Sequence, residues 1–591
     1  MLVRFFHAFF SLLAIVALLA TSSVAQTPPK PTPTSSPKDE ALKQLRALRN
    51  DPPQYVEAAI KFLNDFPDAF ENESSPSYWV RDAIKKAGNT KEATRQFINR
   101  FIDSISTLPA PRRVRFYSDC VKTFLTNDLP EDAVALALKG VPLLDEKEYV
   151  GLERERYERY EAYRKERNPE SKPREFSAVE QAERFRSFKA AFYCSMGTGY
   201  LKRDRLEQAV QTFRQAHAIR PDMESASGIA EILERQGKID DAFEFMTFAA
   251  LTGKLKPDGI ERFHKLYRQL HHGKLDGVEE FLDTRYRTKQ HNPLKAEKYH
   301  PTTARTRRVV VAEMFTGGGC IPCIPVDYSL DAALTEYSRE QFVLLVYHMH
   351  APVSDPLANH SSEARQKYYG INSAPTVLLD GARFENEVDP RTVDFAVTKS
   401  QVVHKALTAA INPRLEVAPK GQLELKAQRE GDLVKVTVTA SDIRDASPDL
   451  TLHIALVEEE VSYSGENGLR FHPMVVRNLA RADTATSEYG FSVTATGASS
   501  YQHTFDIKRI IAENLRYYDE YPVERKKELS ARLDKETLDS LTFSFREQKH
   551  VIDPNDLSVA AFLQDNKTRE ILQSAFLRLS PSKLKNVAAT Q

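Results

Sequence analysis

Cys320 and Cys323 stand two residues apart in Phe315-Thr316-Gly317-Gly318-Gly319-Cys320-Ile321-Pro322-Cys323, directly after the apolar run Val309-Val310-Val311-Ala312. A Cys-x-x-Cys pair where a strand passes into a helix is arranged for thiol–disulfide exchange. Backbone N–H groups in a first helical turn lack intrahelical acceptors, and the peptide dipoles align behind them. A thiolate at Cys320 is stabilised by that field, which draws its pKa from about 8.5 toward the roughly 3.5 to 7.5 range of reactive Cys-x-x-Cys thiols. Cys323, one turn on, is placed to attack the mixed disulfide that Cys320 forms. Pro322 lacks an N–H where none is needed, and the three glycines allow a sharp turn and the approach of a partner polypeptide. Half of a zinc site and a static disulfide use the same spacing. Zinc requires a second Cys or His pair, and the remaining cysteines, Cys120 and Cys194, each stand alone in a helical region. No metal and no cofactor is therefore expected.

These residues resemble the thioredoxin-like superfamily, and the resemblance continues past the cysteines. The apolar run Phe342-Val343-Leu344-Leu345-Val346-Tyr347 is followed by a helix-compatible stretch and then by Tyr369-Gly370-Ile371-Asn372-Ser373-Ala374-Pro375-Thr376-Val377-Leu378-Leu379-Asp380-Gly381. The resemblance implies that Ala374-Pro375 is cis, that Pro375 packs against the cysteines, and that the backbone beside it pairs with an extended substrate. It also implies a buried acid late in the preceding strand that relays a proton to the resolving thiol. Glu313 is the matching position, offset by one residue, and a solvated strand-end glutamate is the alternative. The aromatic segment usual before the first cysteine is replaced here by Thr316-Gly317-Gly318-Gly319, which leaves the redox direction open. Asp380-Gly381 reads independently as a hairpin turn.

The segment His348-Met349-His350-Ala351-Pro352-Val353-Ser354-Asp355-Pro356, with Arg365-Gln366-Lys367-Tyr368-Tyr369-Gly370, resembles a loop of bacterial envelope thioredoxin-like proteins that carry an extra β domain. His348 and His350 alternate along a strand end and so share a side. Beside thiols that pattern raises copper binding. Histidines that support the loop are the other reading.

The rest of the chain must position these groups. Its 591 residues suit three to five domains, and 82 Lys and Arg balance 82 Asp and Glu, so no global field recruits nucleic acid or an anionic membrane. Arg4, the apolar run from Phe9 to Ala20 and Ser23-Val24-Ala25 read as a signal peptide over 1–25, too short to span a bilayer of about 30 Å. The mature chain is expected in the periplasm or outside the cell, with no stable membrane insertion. Residues 26–39, rich in proline, read as an extended spacer.

Residues 40–290 carry helical periodicity. Tyr193, Met196, Gly197, Tyr200, Ala209, Phe213, Ala216 and Pro221 resemble a tetratricopeptide repeat, and Ala230, Leu233, Gly237, Ala242, Met246 and Ala249 repeat the pattern, with a weaker copy at Phe124, Ala133, Ala137 and Gly140. Small residues let paired helices cross closely, and stacked pairs form a curved array suited to a polypeptide partner. Residues 146–183, with alternating charges, read as a solvated helical insertion. Cys120 and Cys194 flank it, and pairing between them is open.

A thioredoxin-like domain is expected over 305–405. From Ile411, period-two alternation at Leu423 to Gln428, Leu433 to Ala440 and Leu450 to Val457 predicts an immunoglobulin-like β-sandwich, and Leu557 to Asp565 and Ile571 to Phe576 resemble the closing strands of the β domain in those envelope proteins, which places the sandwich over 411–580 with a helical excursion at 501–539. The expected fold is thus multidomain: an all-α helical repeat array, a central α/β thioredoxin-like domain and a mainly-β sandwich. Two function classes follow. One is an exported thiol–disulfide oxidoreductase acting on protein thiols or disulfides, with Cys320 attacking, Cys323 resolving, Pro375 presenting the substrate and Glu313 moving the proton. The other is a non-catalytic envelope scaffold or interaction module whose thioredoxin-like unit is structural.

Overall fold

The structure is a computed structural model that describes residues 37–66, 76–170, 176–289, 292–301, 306–385, 396–482, 489–494 and 496–579. The expected signal peptide and residues 26–36 of the spacer lie outside the described residues. Residues 37–39 belong to the first helix, where Pro37 needs no N–H donor and Asp39 and Glu40 face the positive end of the helix dipole. The chain is multidomain and divides into two compact units, a helical one up to residue 276 and a β-rich one from Gly277, which also takes in 251–254.

The helical unit contains α1 (Pro37–Ala47), α2 (Pro52–Asp65), α3 (Pro76–Lys86), α4 (Lys91–Ser104), α5 (Ala110–Thr126), α6 (Pro130–Gly140), α7 (Glu146–Arg167), α8 (Ala178–Lys202), α9 (Leu206–Ile219), α10 (Met223–Arg235), α11 (Ile239–Leu251) and α12 (Pro257–Leu270). Short polar side chains start several of them: Asp51, Thr90, Asp145 and Ser177 each accept a backbone N–H three residues on, and Asp222 and Ser225 form a capping box. Helices pack because small residues make room for rings. A Cβ added to Gly197 of α8 would stand 3.0 Å from the Phe213 ring of α9, and one added to Gly228 of α10 would stand 2.6 Å from the same ring. Within the charged segment, residues 146–167 form α7 and residues 171–175 lie outside the described residues. Of α7, Tyr149 and Glu161 are buried. Cys120 and Cys194 are buried free thiols and do not pair.

The β-rich unit runs α13 (Val278–Lys289), β1 (Val310–Thr316), α14 (Ile324–Glu336), β2 (Phe342–His348), α15 (His360–Tyr369), β3 (Thr376–Leu379), β4 (Ala382–Arg383), α16 (Ala396–Leu415), β5 (Gln422–Glu430), β6 (Leu433–Ser441), β7 (Leu450–Ser462), β8 (Phe471–Leu479), β9 (Phe491–Val493), β10 (Ser499–Asp506), α17 (Ile507–Ser530), α18 (Lys535–Ser540), β11 (Leu557–Asp565) and β12 (Ile571–Arg578). A nine-stranded sheet has the order β12-β11-β7-β8-β2-β1-β3-β4, with β9 beside β7, and a second sheet has the order β10-β6-β5. β1 is parallel to β2 and antiparallel to β3. Asp380 and Gly381, both at positive φ, turn β3 into β4.

The separate sandwich is corrected. The small sheet does face part of the large one across a core of Val434, Val436, Leu452, Ile454, Val559 and Phe505. The large sheet, however, runs on into the cysteine-bearing strands through the parallel contact of Val346 with Val475. A second core joins Val311, Phe315 and Leu344 to Val457, Val476 and Phe562. The physical reason is visible in β7, whose residues Leu452 to Val457 are all buried, the pattern of a strand covered on both faces. The helical excursion begins at Ile507, since 499–506 form β10 with Tyr501 and His503 half-buried and Phe505 buried on one side.

Candidate functional site

β1 is buried throughout and delivers the chain to the three glycines. The Cys320 N–H donates to the Gly317 carbonyl at 2.9 Å and that of Cys323 to the Cys320 carbonyl at 3.2 Å, closing a 3₁₀ turn over Ile321–Cys323 before α14. Cys320 and Cys323 are joined in a disulfide. The helix therefore starts after Cys323, which caps it, and Cys320 caps only the short turn ahead. Sequence alone puts Cys320 in the helix's first turn. Pro322 and Pro325 account for the difference, because each fixes φ and lacks a donor, so the backbone tightens before α14 begins.

The glycines serve the chain's own approach. An added Cβ would lie 2.8 Å from the Met349 carbonyl at Gly317, 2.7 Å from the Tyr463 ring at Gly318 and 2.8 Å from Val353 at Gly319. Cys320 is consequently 4 % exposed and Cys323 fully buried. The space read in sequence as room for a partner is filled by 349–353 and Tyr463.

Ala374-Pro375 is cis, and the pairing of Thr376 with Phe315 sets Pro375 beside the point where β1 gives way to Gly317.

Glu313 is buried and is not the solvated strand-end glutamate that sequence left as the alternative. Arg365 Nε and Nη2 donate to its carboxylate at 2.7–2.9 Å, and the Tyr369 hydroxyl donates at 2.6 Å. Arg365 also reaches Gln564 of β11 at 3.0 Å, and Gln564 donates to Tyr369 at 2.8 Å. Both carboxylate oxygens are committed to this network, which ties β1 to α15 and β11.

Asp327, absent from the sequence reading, is a further carboxyl on the helix that follows the cysteines. It follows Cys323 by one helical turn and so shares its face of α14. Its Oδ1 is 3.5 Å from the Thr316 hydroxyl, and its Oδ2 is buried without a hydrogen-bond partner among the described residues. Burial pushes its carboxyl well above the usual carboxylate range. The i, i+4 spacing from Cys323 is the signal that could have found it.

Asp355 was also missed, having no local signal. Its Oδ2 accepts the Gly318 N–H at 2.5 Å and lies 3.0 Å from His348 Nδ1, while Oδ1 accepts the Leu357 N–H at 2.8 Å. Burial alone would raise its pKa, but the His348 ring and the two backbone donors hold it down at about 2. His350 lies beyond the end of β2. Its Nδ1 accepts the Asp355 N–H at 3.0 Å and its Nε2 meets the Tyr517 hydroxyl at 2.8 Å. Both of its nitrogens are thus used, and burial lowers its pKa to about 4. The two histidines support the loop, and no group of three or more His, Cys, Asp or Glu side chains suited to a metal occurs among the described residues. No described helix is long and apolar enough to cross a membrane.

No family model matches the chain, and no curated protein matches it. Among solved structures, a thermophilic TPR protein of Thermus thermophilus is similar at 14 % identity over 39 % of this chain and 98 % of that one, with a TM-score of 0.21. At that score the likeness carries no argument. The helical repeat region rests on its own packing.

Proposed function

We propose that the chain binds a polypeptide through its helical array and carries a thiol–disulfide exchange site at Cys320 and Cys323. The observation that carries this is the disulfide at the junction of β1 and α14, beside a cis-proline that opens the adjacent antiparallel strand. The order β2-β1-β3-β4, two parallel strands followed by an antiparallel pair, supports a thioredoxin-like reading of this part.

In the reduced protein the Cys320 thiolate attacks one sulfur of a substrate disulfide, and the second substrate sulfur leaves as a thiolate. Asp327 takes the proton of Cys323, whose thiolate then attacks the Cys320 sulfur and releases the first substrate sulfur. The protein ends as the disulfide and the substrate as a dithiol. Substrate oxidation runs the same steps in reverse. Export to the cell envelope, proposed from the leader, fits a chain that keeps such a disulfide.

The second reading, an interaction scaffold with a static disulfide, is favoured by the helical array and by the burial of Cys320. Loop entropy speaks against a purely structural bond. A bridge across so short a loop contributes about 2 kcal/mol in the chain-entropy account, against about 4.7 for a loop of roughly 100 residues. The test is reduction of insulin disulfides by the purified protein with dithiothreitol as terminal reductant, measured above the rate with dithiothreitol alone. Exchange predicts turnover that is lost in Cys320→Ser, and a scaffold predicts none in either protein.

A further inference from the structure

The Gly318 peptide, two residues before Cys320, is gripped on both sides. Its N–H is held by Asp355, itself fixed by His348 and the Leu357 N–H. Its carbonyl accepts the Asn467 N–H at 2.8 Å from the hairpin between β7 and β8. In that hairpin Tyr463 donates to the Arg470 carbonyl and Gly465 to the Leu469 carbonyl, each at 2.8 Å. The Tyr463 ring lies on Gly318, and Gly465 approaches so closely that a Cβ there would stand 2.6 Å from the Gly318 oxygen.

We propose that the hairpin tip, residues 464–468, is a gate over the Cys320–Cys323 disulfide, and that when it lifts, an extended polypeptide substrate takes the Gly318 carbonyl that Asn467 releases. The inference rests on the exchange reading and adds where the substrate backbone binds. The geometry identifies the moving side. Asp355 is buried and fixed by three partners, and the 349–353 wall is pinned through His350 to Asp355 and Tyr517. Tyr463 is anchored among Leu357, Val461 and Val475 and serves as the pivot. The tip meets the glycine loop backbone to backbone, with no side chain of 464–468 buried between them and Ser464, Glu466, Asn467 and Gly468 half-buried. Parting them exposes one N–H and one carbonyl, both of which water can serve. Arg546 is a latch on the tip: its Nη2 donates to the Ser464 carbonyl and its guanidinium lies 5.2 Å from the Tyr463 ring centroid, alongside Arg470 Nη1, which donates to the Ser464 hydroxyl at 2.8 Å, and the Gly253 backbone, which packs against Ser464 and Gly465. Gly318 offers an unpaired carbonyl to an incoming strand only in the open form.

The test uses the oxidised full-length chain and follows reduction of Cys320–Cys323 by a small phosphine. Gly465→Ala wedges the tip from Gly318, and Arg546→Met removes the latch at a site away from the glycines. Both variants are expected to be reduced at least tenfold faster than the parent, with unchanged near-ultraviolet circular dichroism. Rates within twofold of the parent for Arg546→Met overturn the gate, whether or not Gly465→Ala folds. Because this readout needs no substrate, faster reduction without insulin turnover would remove the exchange reading and leave the gate standing.

Discussion

Asp355 holds the amide of Gly318 at 2.5 Å and the Nδ1 of His348 at 3.0 Å on one carboxylate oxygen, so the loop that carries the cysteines rests on a buried charge. Its folded pKa of about 2 lies below the ordinary value of 3.8, so between those values the unfolded chain binds more protons than the folded one. Stability from this group is complete above about pH 4 and is lost as pH falls toward 2, on the order of 2 kcal/mol in all. Asp355→Asn is expected to lack that part of the acid dependence. Urea titrations of the β-rich unit at stepped pH, followed by tyrosine near-ultraviolet dichroism, measure it. Trp79, the sole tryptophan, reports the helical unit separately.

Arg365 and Glu313 form a buried, hydrogen-bonded ion pair, and breaking it from one side strands a charge. Arg365→Met is expected to cost about 3–5 kcal/mol of stability in the β-rich unit. Glu313→Gln is expected to cost less and to leave the rate at which Cys323 resolves a mixed disulfide within twofold of the parent. Stopped-flow measurement of that step checks the point, and a large loss there would return the relay to Glu313.

Asp327→Asn is expected to slow the resolving step by tenfold or more, the low end of what a positioned acid–base group contributes. The group accepts a proton only when ionised. In the parent the rate therefore rises as pH climbs through its raised pKa, and the variant lacks that inflection.

Phe213 fills the groove between Gly197 and Gly228 and is 2 % exposed. Phe213→Ala is expected to destabilise the helical unit by about 3–5 kcal/mol, read from Trp79 fluorescence, with no change in insulin reduction.

Local rules carried far along this chain. Period-two strands at Leu423 and Leu433, the hairpin at Asp380-Gly381, the paired helices around Gly197 and Phe213 and the junction at Cys320 are written in neighbouring residues. What was not legible depends on contacts between distant segments. Leu452 to Val457 reads equally as one face of a sandwich or as a strand covered on both sides, and only the parallel contact of β8 with β2 decides. Asp355 finds Gly318, and Tyr463 finds the glycine loop, through tertiary packing that no spacing encodes. Glu313 reads in sequence as a buried acid or a solvated one, and the partner that accompanies its burial, Arg365, lies on another element.

Trapping on Cys320 tests the central claim most directly. The Cys323→Ala protein, reduced and mixed with a protein disulfide, is expected to accumulate a mixed disulfide through Cys320 that mass spectrometry locates and that Cys320→Ser abolishes. No adduct on Cys320, in the parent background or with the Arg546 latch removed, would contradict thiol–disulfide exchange at this site and leave the chain an interaction scaffold with a structural bridge.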